Sequence, residues 1–192
     1  MCGAWGARSD KDGIDGCSPL GANLANTPVE ELEKSGLVRV EGYGLLPDTG
    51  GAGKFRGGLS TFRDIRLLGP EAHLQVRSDR RRFTSYGLEH GSSGAPSLNL
   101  LIDEAGNEEL LPTKPNQPMR SGWVHRHITA GGGGYGHPFD RDPVLVLKDV
   151  IAGKVSRAVA ERDYGVSIKD GRSIDLERTE MLRRDRQAGA GR

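Results

Sequence analysis

Alternating apolar and polar positions in the first two thirds of the chain indicate short, half-buried antiparallel strands. The first of these runs contains two glycines, which indicate a bulge or a close backbone contact. No internal repeat interrupts the pattern. The predicted strands cover Leu37–Leu46, Phe62–Leu68, His73–Arg77, Leu98–Ile102 and Trp123–Thr129.

The last third follows a helical pattern instead. Asp142 as N-cap and Pro143 in the first turn predict a helix that runs through Asp149. Its apolar face is predicted at Val144, Leu147 and Ile151. The shorter predictions are a helix capped by Thr27, a helix over Arg157–Arg162, a possible strand over Tyr164–Ile168 and a charged helix over Ile174–Arg186.

Strands first and helices last predict an α+β fold, with a β-rich lobe of glycine loops followed by short C-terminal helices. A length of 192 residues fits one domain. We expect residues 1–187 to form a single lobe. The last residues, 188–192, are small and polar and are expected to be a disordered tail.

Composition narrows the class of protein. The 29 glycines are roughly twice the usual share, which implies many turns and close backbone approaches. A net charge of +1 gives no field that attracts nucleic acid or anionic lipid. There is no apolar run long enough to span a bilayer, no apolar segment typical of a secretory signal and, with only Cys2 and Cys17, no disulfide framework. We therefore expect a soluble cytoplasmic protein that binds neither nucleic acid nor membrane.

A run of glycines follows the last predicted strand and satisfies the G-x-G-x-x-G pattern. A dinucleotide site needs a helix to open at the third glycine, but Pro138 and the turn at 140–143 intervene. An independent dinucleotide-binding enzyme is therefore disfavoured. Successive N–H groups can still form an anion nest, and a close-packed structural turn is the alternative. The substrate or anion-loop candidates are Gly131, Gly132, Gly133, Gly134, Tyr135 and Gly136.

Two basic patterns add further candidates. Arg80 and Arg82 belong to an arginine run that can clamp an anion, or can form a solvated edge or an interface. His125 and His127 share one face of a strand, which suits either a metal ion or an exposed surface.

The sequence contains no complete motif for nucleotide binding or covalent catalysis. The loop 50–54 lacks the hydroxyl that a phosphate loop needs, because Phe55 follows Lys54. We therefore expect no ATP motif on this chain. No Ser/His/Asp or Cys/His arrangement stands out, so the catalytic residues stay unknown.

Several longer motifs lie along the chain in a characteristic order, from about residue 10 to residue 170. They are Asn26–Glu30, Pro47–Gly58, Asp79–Arg82 with Gly87 and Leu88, Thr129–Gly136, Arg141–Pro143 and Asp163–Val166. Together these motifs resemble the C-terminal portion of the hydantoinase B/oxoprolinase family. The two long glycine motifs are the specific part of this resemblance. One departure is His137, which stands where the family usually has Asp.

The resemblance implies a protein that works with a hydantoinase A-type partner. Family members use ATP to open cyclic amides such as 5-oxoproline or N-methylhydantoin, or to carboxylate ketones, and ATP binding is credited to the partner subunit. Full hydantoinase B proteins are longer than this chain, and their metal-binding Asp/His motifs lie in the upstream part. No catalytic or metal residue can therefore be carried over, and we expect no metal site on this chain.

The expected function is the C-terminal part or split subunit of an ATP-dependent cyclic-amide hydrolase. We expect it to act with a hydantoinase A-type subunit and an upstream hydantoinase B piece, and to be inactive alone. The alternatives are a non-catalytic assembly lobe, a truncated relic of that enzyme, or part of an ATP-dependent ketone carboxylase. The sequence leaves open the substrate and the choice between hydrolysis and carboxylation.

Overall fold

The computed structural model describes residues 3–18, 21–22 and 24–189. Its strands are β1 Val38–Leu45, β2 Thr61–Leu67, β3 Glu71–Gln75, β4 Leu98–Ile102, β5 Glu108–Leu110, β6 Asn116–Arg120, β7 Val124–Ile128, β8 Ile168–Lys169 and β9 Ser173–Ile174. Its helices are α1 Val29–Glu33, α2 Pro143–Ile151, α3 Arg157–Tyr164 and α4 Leu176–Gly189, with a 3-10 turn at Pro138–Asp140.

An antiparallel sheet of five strands, in the order β1-β2-β7-β4-β5, forms the centre of the β-rich part. Two further antiparallel pairs join β3 to β6 and β8 to β9. The helices follow the large sheet along the chain, as the α+β prediction expected. The predicted bulge in β1 is confirmed, because the β1–β2 register shifts between Val40 and Gly42.

The register of the large sheet brings three glycine segments to one edge. Leu45 faces Thr61 across β1 and β2, and Ile128 at the end of β7 faces both Phe62 and Leu98. The end of β1, the start of β2, the end of β7 and the start of β4 therefore lie side by side. The segments 46–60, 84–97 and 129–137 leave the sheet from this shared edge.

Beyond that edge the three segments and residues 5–13 pack main chain against main chain, in an arrangement that we call the glycine stack. Gly51 donates to the carbonyl of Gly132 (N–O 2.8 Å), and Gly132 donates to the carbonyl of Gly58 (2.9 Å). Gly58 in turn donates to the carbonyl of Trp5 (2.9 Å). A Cβ atom at Gly132 would overlap the Trp5 carbonyl, so these main chains approach each other more closely than side chains allow.

Two small apolar clusters flank the stack. On the helical side, buried residues of α2 and α3, of the segments that follow these helices and of the glycine stack pack together: Ala52, Val146, Val155, Ala160, Tyr164 and Val166. On the sheet side, the cluster consists of Leu67, Leu101, Leu111 and Met119, with Trp123 against it. The glycine stack thus lies between the two cores.

The predicted start of α2 is confirmed, but its predicted apolar face is wrong. The Asp142 carboxylate accepts a hydrogen bond from the N–H of Val144 (2.8 Å), with Pro143 in the first turn. Val144 is 49% exposed, whereas Val146 and Asp149 are buried. The helix turns Asp149 inward because this carboxylate pairs with two buried arginines of the fold.

Several other elements differ from their predicted type or bounds. The cap position of α1 is Pro28 rather than Thr27 and carries no side-chain hydrogen bond. Tyr164 ends α3 instead of starting a strand. Strands β5 and β6 were not predicted, and β3 begins two residues before the predicted His73.

The predictions for the C-terminal tail and the cysteines concern some residues that lie outside the described part of the chain. Helix α4 reaches Gly189, inside the segment expected to be a tail, and residues 190–192 lie outside the described residues. The tail therefore stays a prediction. Cys17 is a free thiol, and Cys2 lies outside the described part of the chain. Among the helices described, none is both long and apolar enough to cross a membrane.

Candidate functional site

The glycine candidates lie in the middle of the glycine stack, and Gly131–Gly134 are buried. Gly131 donates its N–H to the carbonyl of Ala95 (3.0 Å), and Gly134 donates to that of Ser92 (2.9 Å). The N–H groups of Tyr135 and Gly136 donate to the carbonyls of Phe55 and Leu88, each at 3.0 Å. These donors, with that of Gly132, are committed to other main chains and do not form an anion nest. A substrate role for the loop stays a prediction.

The three arginines of the basic run point to different surroundings. Arg81 donates to the carbonyl of Leu111. Arg82 is exposed, and its guanidinium lies 5.5 Å from the ring centroid of Phe83. Arg80 lines a cavity of about 420 Å³ beside the glycine stack. The structure therefore brings Arg80, but not Arg82, to this cavity.

This polar cavity lies where Thr129 and Ala130 lead from β7 into the glycine stack. Its wall is formed by main chain and by side chains that are almost all polar. The lining residues are Gly3, Ala4, Arg77, Ser78, Asp79, Arg80, Ser85, Ser97, His127, Thr129 and Ala130. The cavity is the candidate functional site.

The backbone at Arg80 is held in the left-handed region, with φ of +63°. A residue other than glycine in this region costs on the order of 1–3 kcal/mol and persists only where its surroundings enforce the conformation. Ser97 supplies that enforcement, because its N–H donates to the Arg80 carbonyl (3.2 Å) and its hydroxyl donates to the Asp79 carbonyl. Ser97 is itself buried, immediately before β4.

His127 is oriented by a neighbour on the next strand. The β4–β7 register places Asn99 directly opposite His127. The Asn99 side-chain amide donates to the Ser78 hydroxyl (2.8 Å) and to the carbonyl of Pro112 (3.3 Å), which leaves its oxygen facing Nδ1 of His127 (2.7 Å). Nδ1 therefore carries the proton, and Nε2 is left as an acceptor in the neutral ring. Burial lowers the pKa of His127, which favours this neutral form.

His125 shares the face with His127, and their ring centroids are 6.4 Å apart. Burial, reinforced by the proximity of His127, lowers the pKa of His125 to about 4. Its Nε2 is buried and has no hydrogen-bond partner among the described residues. The face is half-buried, so the exposed-surface interpretation is wrong. Nowhere in the described part of the chain do three His, Cys, Asp or Glu side chains come together as metal ligands would.

The charges at the polar cavity are unbalanced. Within the described residues, Arg77 and Arg80 form no ion pair with any carboxylate, and Asp79 is the single carboxylate in the lining. Two guanidinium groups against one carboxylate leave a net positive charge. Guanidinium groups bind carboxylates and phosphates through paired N–H donors. This lining makes the cavity a candidate site for an oxyanion.

A second cluster of charges has a structural role. Arg141, 2% exposed, donates to both oxygens of Asp12 (2.7 Å each) and to Asp149 (2.7 Å). Burial opposes its charge, but the hydrogen bonds to Asp12 outweigh this and raise the pKa of Arg141. Arg56 lies between Asp15 and Asp149 in the same network. The network ties the N-terminal segment to the glycine stack and to α2.

Sequence reasoning missed most of the cavity. Arg77, Ser78, Ser85, Ser97 and Thr129 lie on separate segments that only the fold brings together. One signal was present, because Asn99 interrupts the otherwise apolar strand Leu98–Ile102 and is only 1% exposed. A buried amide requires hydrogen-bond partners, and these partners mark the site.

Comparison with known sequences gives the relationships of the chain. The profile of the hydantoinase B/oxoprolinase family matches residues 1–138. A Pseudomonas sp. (strain NS671) protein, described as the B-type component of a D-/L-hydantoinase, is 35% identical over 186 residues. That alignment covers 96% of this chain and 31% of the relative.

Two solved structures have a similar fold. The crystal structure of the ATP-dependent caprolactamase from Pseudomonas jessenii superimposes with a TM-score of 0.82 at 30% identity, covering 95% of this chain and 32% of the other. A nucleotide-free acetone carboxylase gives a TM-score of 0.85 at 17% identity over 98% of this chain and 30% of the other, which shows the shared fold alone. The chain spans about a third of the length of these three relatives. It belongs to the hydantoinase B/oxoprolinase family.

Proposed function

We propose that this chain is part of an ATP-dependent cyclic-amide hydrolase of the 5-oxoprolinase or hydantoinase type. The observation that carries the proposal is the similarity to the ATP-dependent caprolactamase, which extends over 95% of the chain at 30% identity. A caprolactamase and a hydantoinase both act on amide bonds within rings. The similarity to the B-type component of a hydantoinase supports the same class of reaction.

The chain contributes a binding surface, and other chains contribute the nucleotide and any metal ion. The loop that follows β1 packs into the glycine stack, with the N–H of Lys54 donating to the carbonyl of Gly136 (3.2 Å). A loop held in this way has no free cradle for phosphates. We therefore assign ATP to a hydantoinase A-type partner. Any divalent metal ion is placed on an upstream hydantoinase B piece.

Exposed apolar side chains support the presence of partners. Phe83 is 74% exposed and Tyr86 is 72% exposed, and in sequence they lie two residues before and one residue after Ser85 of the polar cavity. Large aromatic side chains exposed beside a polar site are typical of surfaces that another protein covers. We place the upstream hydantoinase B piece against this surface, in the cytoplasm.

Reconstitution tests the proposal. The chain is co-purified with the hydantoinase A-type subunit and the upstream hydantoinase B piece, and phosphate release from ATP is measured with 5-oxoproline, hydantoin and caprolactam. We expect release that depends on one of these cyclic amides and on the presence of this chain. A complex that opens the ring equally well without the chain would mean a non-catalytic assembly lobe.

A second experiment distinguishes cyclic-amide hydrolysis from ketone carboxylation. The same complex is supplied with acetone and bicarbonate in place of a cyclic amide. We expect no ATP consumption that depends on acetone. Acetone-dependent ATP consumption without any response to cyclic amides would overturn the proposal in favour of a ketone carboxylase.

A further inference from the structure

We propose that the outer side of helix α2 is a docking surface for an acidic amphipathic helix of a different chain. This surface, which we call the α2 face, consists of the exposed residues Val144, Leu145, Lys148 and Ile151. The proposal rests on the proposed function, which requires partner chains. It adds the place where one partner docks and the chemistry of the segment that docks there.

Helix α2 is apolar on both of its sides. Six of its nine residues are valine, leucine or isoleucine. Val146 is buried and Val150 packs against the same apolar cluster, whereas on the opposite side Val144 and Ile151 are 49% and 62% exposed. A helix that is apolar all round is typical of the interior of a larger protein or assembly. This chain therefore covers one side of α2 and leaves the other side for a partner.

The spacing along the α2 face is that of a helix-packing surface. Val144, Lys148 and Ile151 lie at positions i, i+4 and i+7, so they follow one another on the same side of the helix. Val144 and Ile151 are also two of the residues that the sequence pattern marked as an apolar helix face. Within this chain that side stays exposed, because Asp149 turns inward to its arginine partners. Burial against another helix accounts for the pattern.

A groove of about 330 Å³ adjoins the start of the α2 face. It is lined by Pro143, which directly precedes Val144, and by five residues of α4: Leu176, Thr179, Glu180, Arg183 and Arg184. Leu176 is 69% exposed and supplies an apolar wall. The groove extends the docking surface from α2 towards α4 and gives space for a side chain of the partner.

The charges of this surface call for a carboxylate. Lys148 lies between apolar neighbours and forms no ion pair with a carboxylate of the described residues. The nearby carboxylates are already engaged, since Glu180 pairs with Arg184 (3.4 Å) and Asp142 caps α2. Burying an unpaired ammonium group in an interface is costly. A partner that covers the α2 face therefore supplies an Asp or Glu opposite Lys148.

The same charge argues against a second copy of this chain as the occupant. In a two-fold pair of α2 helices, Val144 of one copy would meet Ile151 of the other. The two Lys148 ammonium groups would then approach each other near the axis, and like charges placed together at an interface repel. The occupant that fits is a helix of another chain, with apolar residues three or four positions on either side of a carboxylate.

Cross-linking tests this assignment without ATP or turnover. The purified 192-residue chain is mixed separately with the hydantoinase A-type subunit and with the upstream hydantoinase B piece. A carbodiimide, which joins an amine directly to a contacting carboxylate, is added, and the products are identified by mass spectrometry. We expect Lys148 to be joined to an Asp or Glu of one of these two proteins, within a segment that has the apolar spacing described above.

Variants of exposed residues measure the contribution of the α2 face to binding. Lys148→Glu and Ile151→Asp should each weaken binding of that protein roughly tenfold or more. Lys148→Arg keeps the positive charge and should retain most of the binding. Lys114→Glu, an equal charge reversal at an exposed lysine outside α2 and α4, is the matched control and should leave binding unchanged. Thermal melting reports whether each variant is folded, and the two α2 variants serve as checks on each other.

Several results would overturn the proposal. They are a wild-type chain that binds neither protein, binding that neither Lys148→Glu nor Ile151→Asp weakens, and a Lys148 cross-link between two copies of this chain. An equal loss in Lys114→Glu would mean a general effect of net charge. A complex that assembles through the α2 face but opens no cyclic amide would contradict the proposed function alone.

Discussion

At the level of single residues, Gly132 shows why the central glycines are needed. The main chains of three other segments surround it, and its N–H and carbonyl are both used, by Gly58 and Gly51. A Cβ atom there would overlap the Trp5 carbonyl. The requirement is for space and not for unusual dihedral angles, because the positive φ values of this loop are confined to Gly136.

Substitution of Gly132 by alanine should therefore destabilise the fold. Overpacking costs about 1–3 kcal/mol when side chains can adjust, and the main chain at Gly132 adjusts less. We expect Gly132→Ala to lower the free energy of unfolding by about 3 kcal/mol or more, measured by urea denaturation. Gly6→Ala is the matched control, since its Cβ would lie 3.6 Å from the Gly133 carbonyl, an ordinary contact. Equal effects of the two substitutions would contradict the packing argument.

His125 makes stability depend on pH. Its pKa is about 4 in the folded protein and near 6.5 in the unfolded chain, because burial disfavours the charged ring. Between these values the unfolded chain binds more protons, so stability falls as the pH decreases from 6.5 towards 4.

The size of this dependence can be measured in a variant. Between about pH 7.5 and pH 5, His125 alone should remove up to about 2 kcal/mol of unfolding free energy. His125→Gln should flatten the profile in this interval relative to the wild type, with urea denaturation as the readout. Identical slopes for the two proteins would mean that the His125 ring is charged in the folded state.

Some residues of the site could be predicted and others could not. Arg80 was identified from the arginine run, and His127 from its alternation with His125. The run could not separate Arg80 from Arg82, because the distinction depends on the turn that Ser97 holds. Ser97 itself carries no local signal, since its partners are main-chain atoms 17 and 18 residues away.

At the level of elements, α2 was predicted from its capping residues more accurately than from its apolar pattern. Asp142 and Pro143 are local signals, and the helix starts where they indicate. The buried face depends on what the helix meets. Because Asp149 pairs with Arg141 and Arg56, an apolar pattern could not reveal that the helix turns a carboxylate inward.

The cap of α2 can be tested by itself. Asp142→Ala leaves the Val144 N–H without its partner and should cost about 0.5–2 kcal/mol of stability. Asp142→Asn retains an acceptor at the cap and should cost much less, because Asn caps helices about as well as Asp does. Thermal melting of both variants provides the measurement. A large loss in Asp142→Asn, equal to that in Asp142→Ala, would point to charge rather than capping.

The two strands that were missed lack the usual local signals, each for its own reason. All three residues of β5 are exposed, so no alternation marks them. Strand β6 contains Pro118, which usually argues against a strand. Proline is tolerated there because β6 pairs only with β3 in a two-stranded sheet.

At the level of the whole molecule, the polar cavity is the candidate ligand site, and the glycine stack beside it is closely packed and joined by main-chain hydrogen bonds. The nucleotide is assigned to another chain. We therefore expect the purified 192-residue chain to show no ATP hydrolysis that responds to 5-oxoproline, measured as phosphate release. Release that responds to 5-oxoproline, copurifies with the chain and disappears in Arg80→Gln would overturn this expectation.

The ion pairs of the buried network have a consequence for the order of folding. Asp12 and Arg141 are 129 residues apart in sequence, and Asp15 and Lys154 are 139 apart. Contacts of such long range form after local hairpins and helices, because a large loop must close first. During synthesis the N-terminal segment must wait until residues beyond 154 have emerged from the ribosome. Glycine-rich segments have few apolar side chains. They therefore have little tendency to collapse or to form cross-β aggregates before the long-range contacts form.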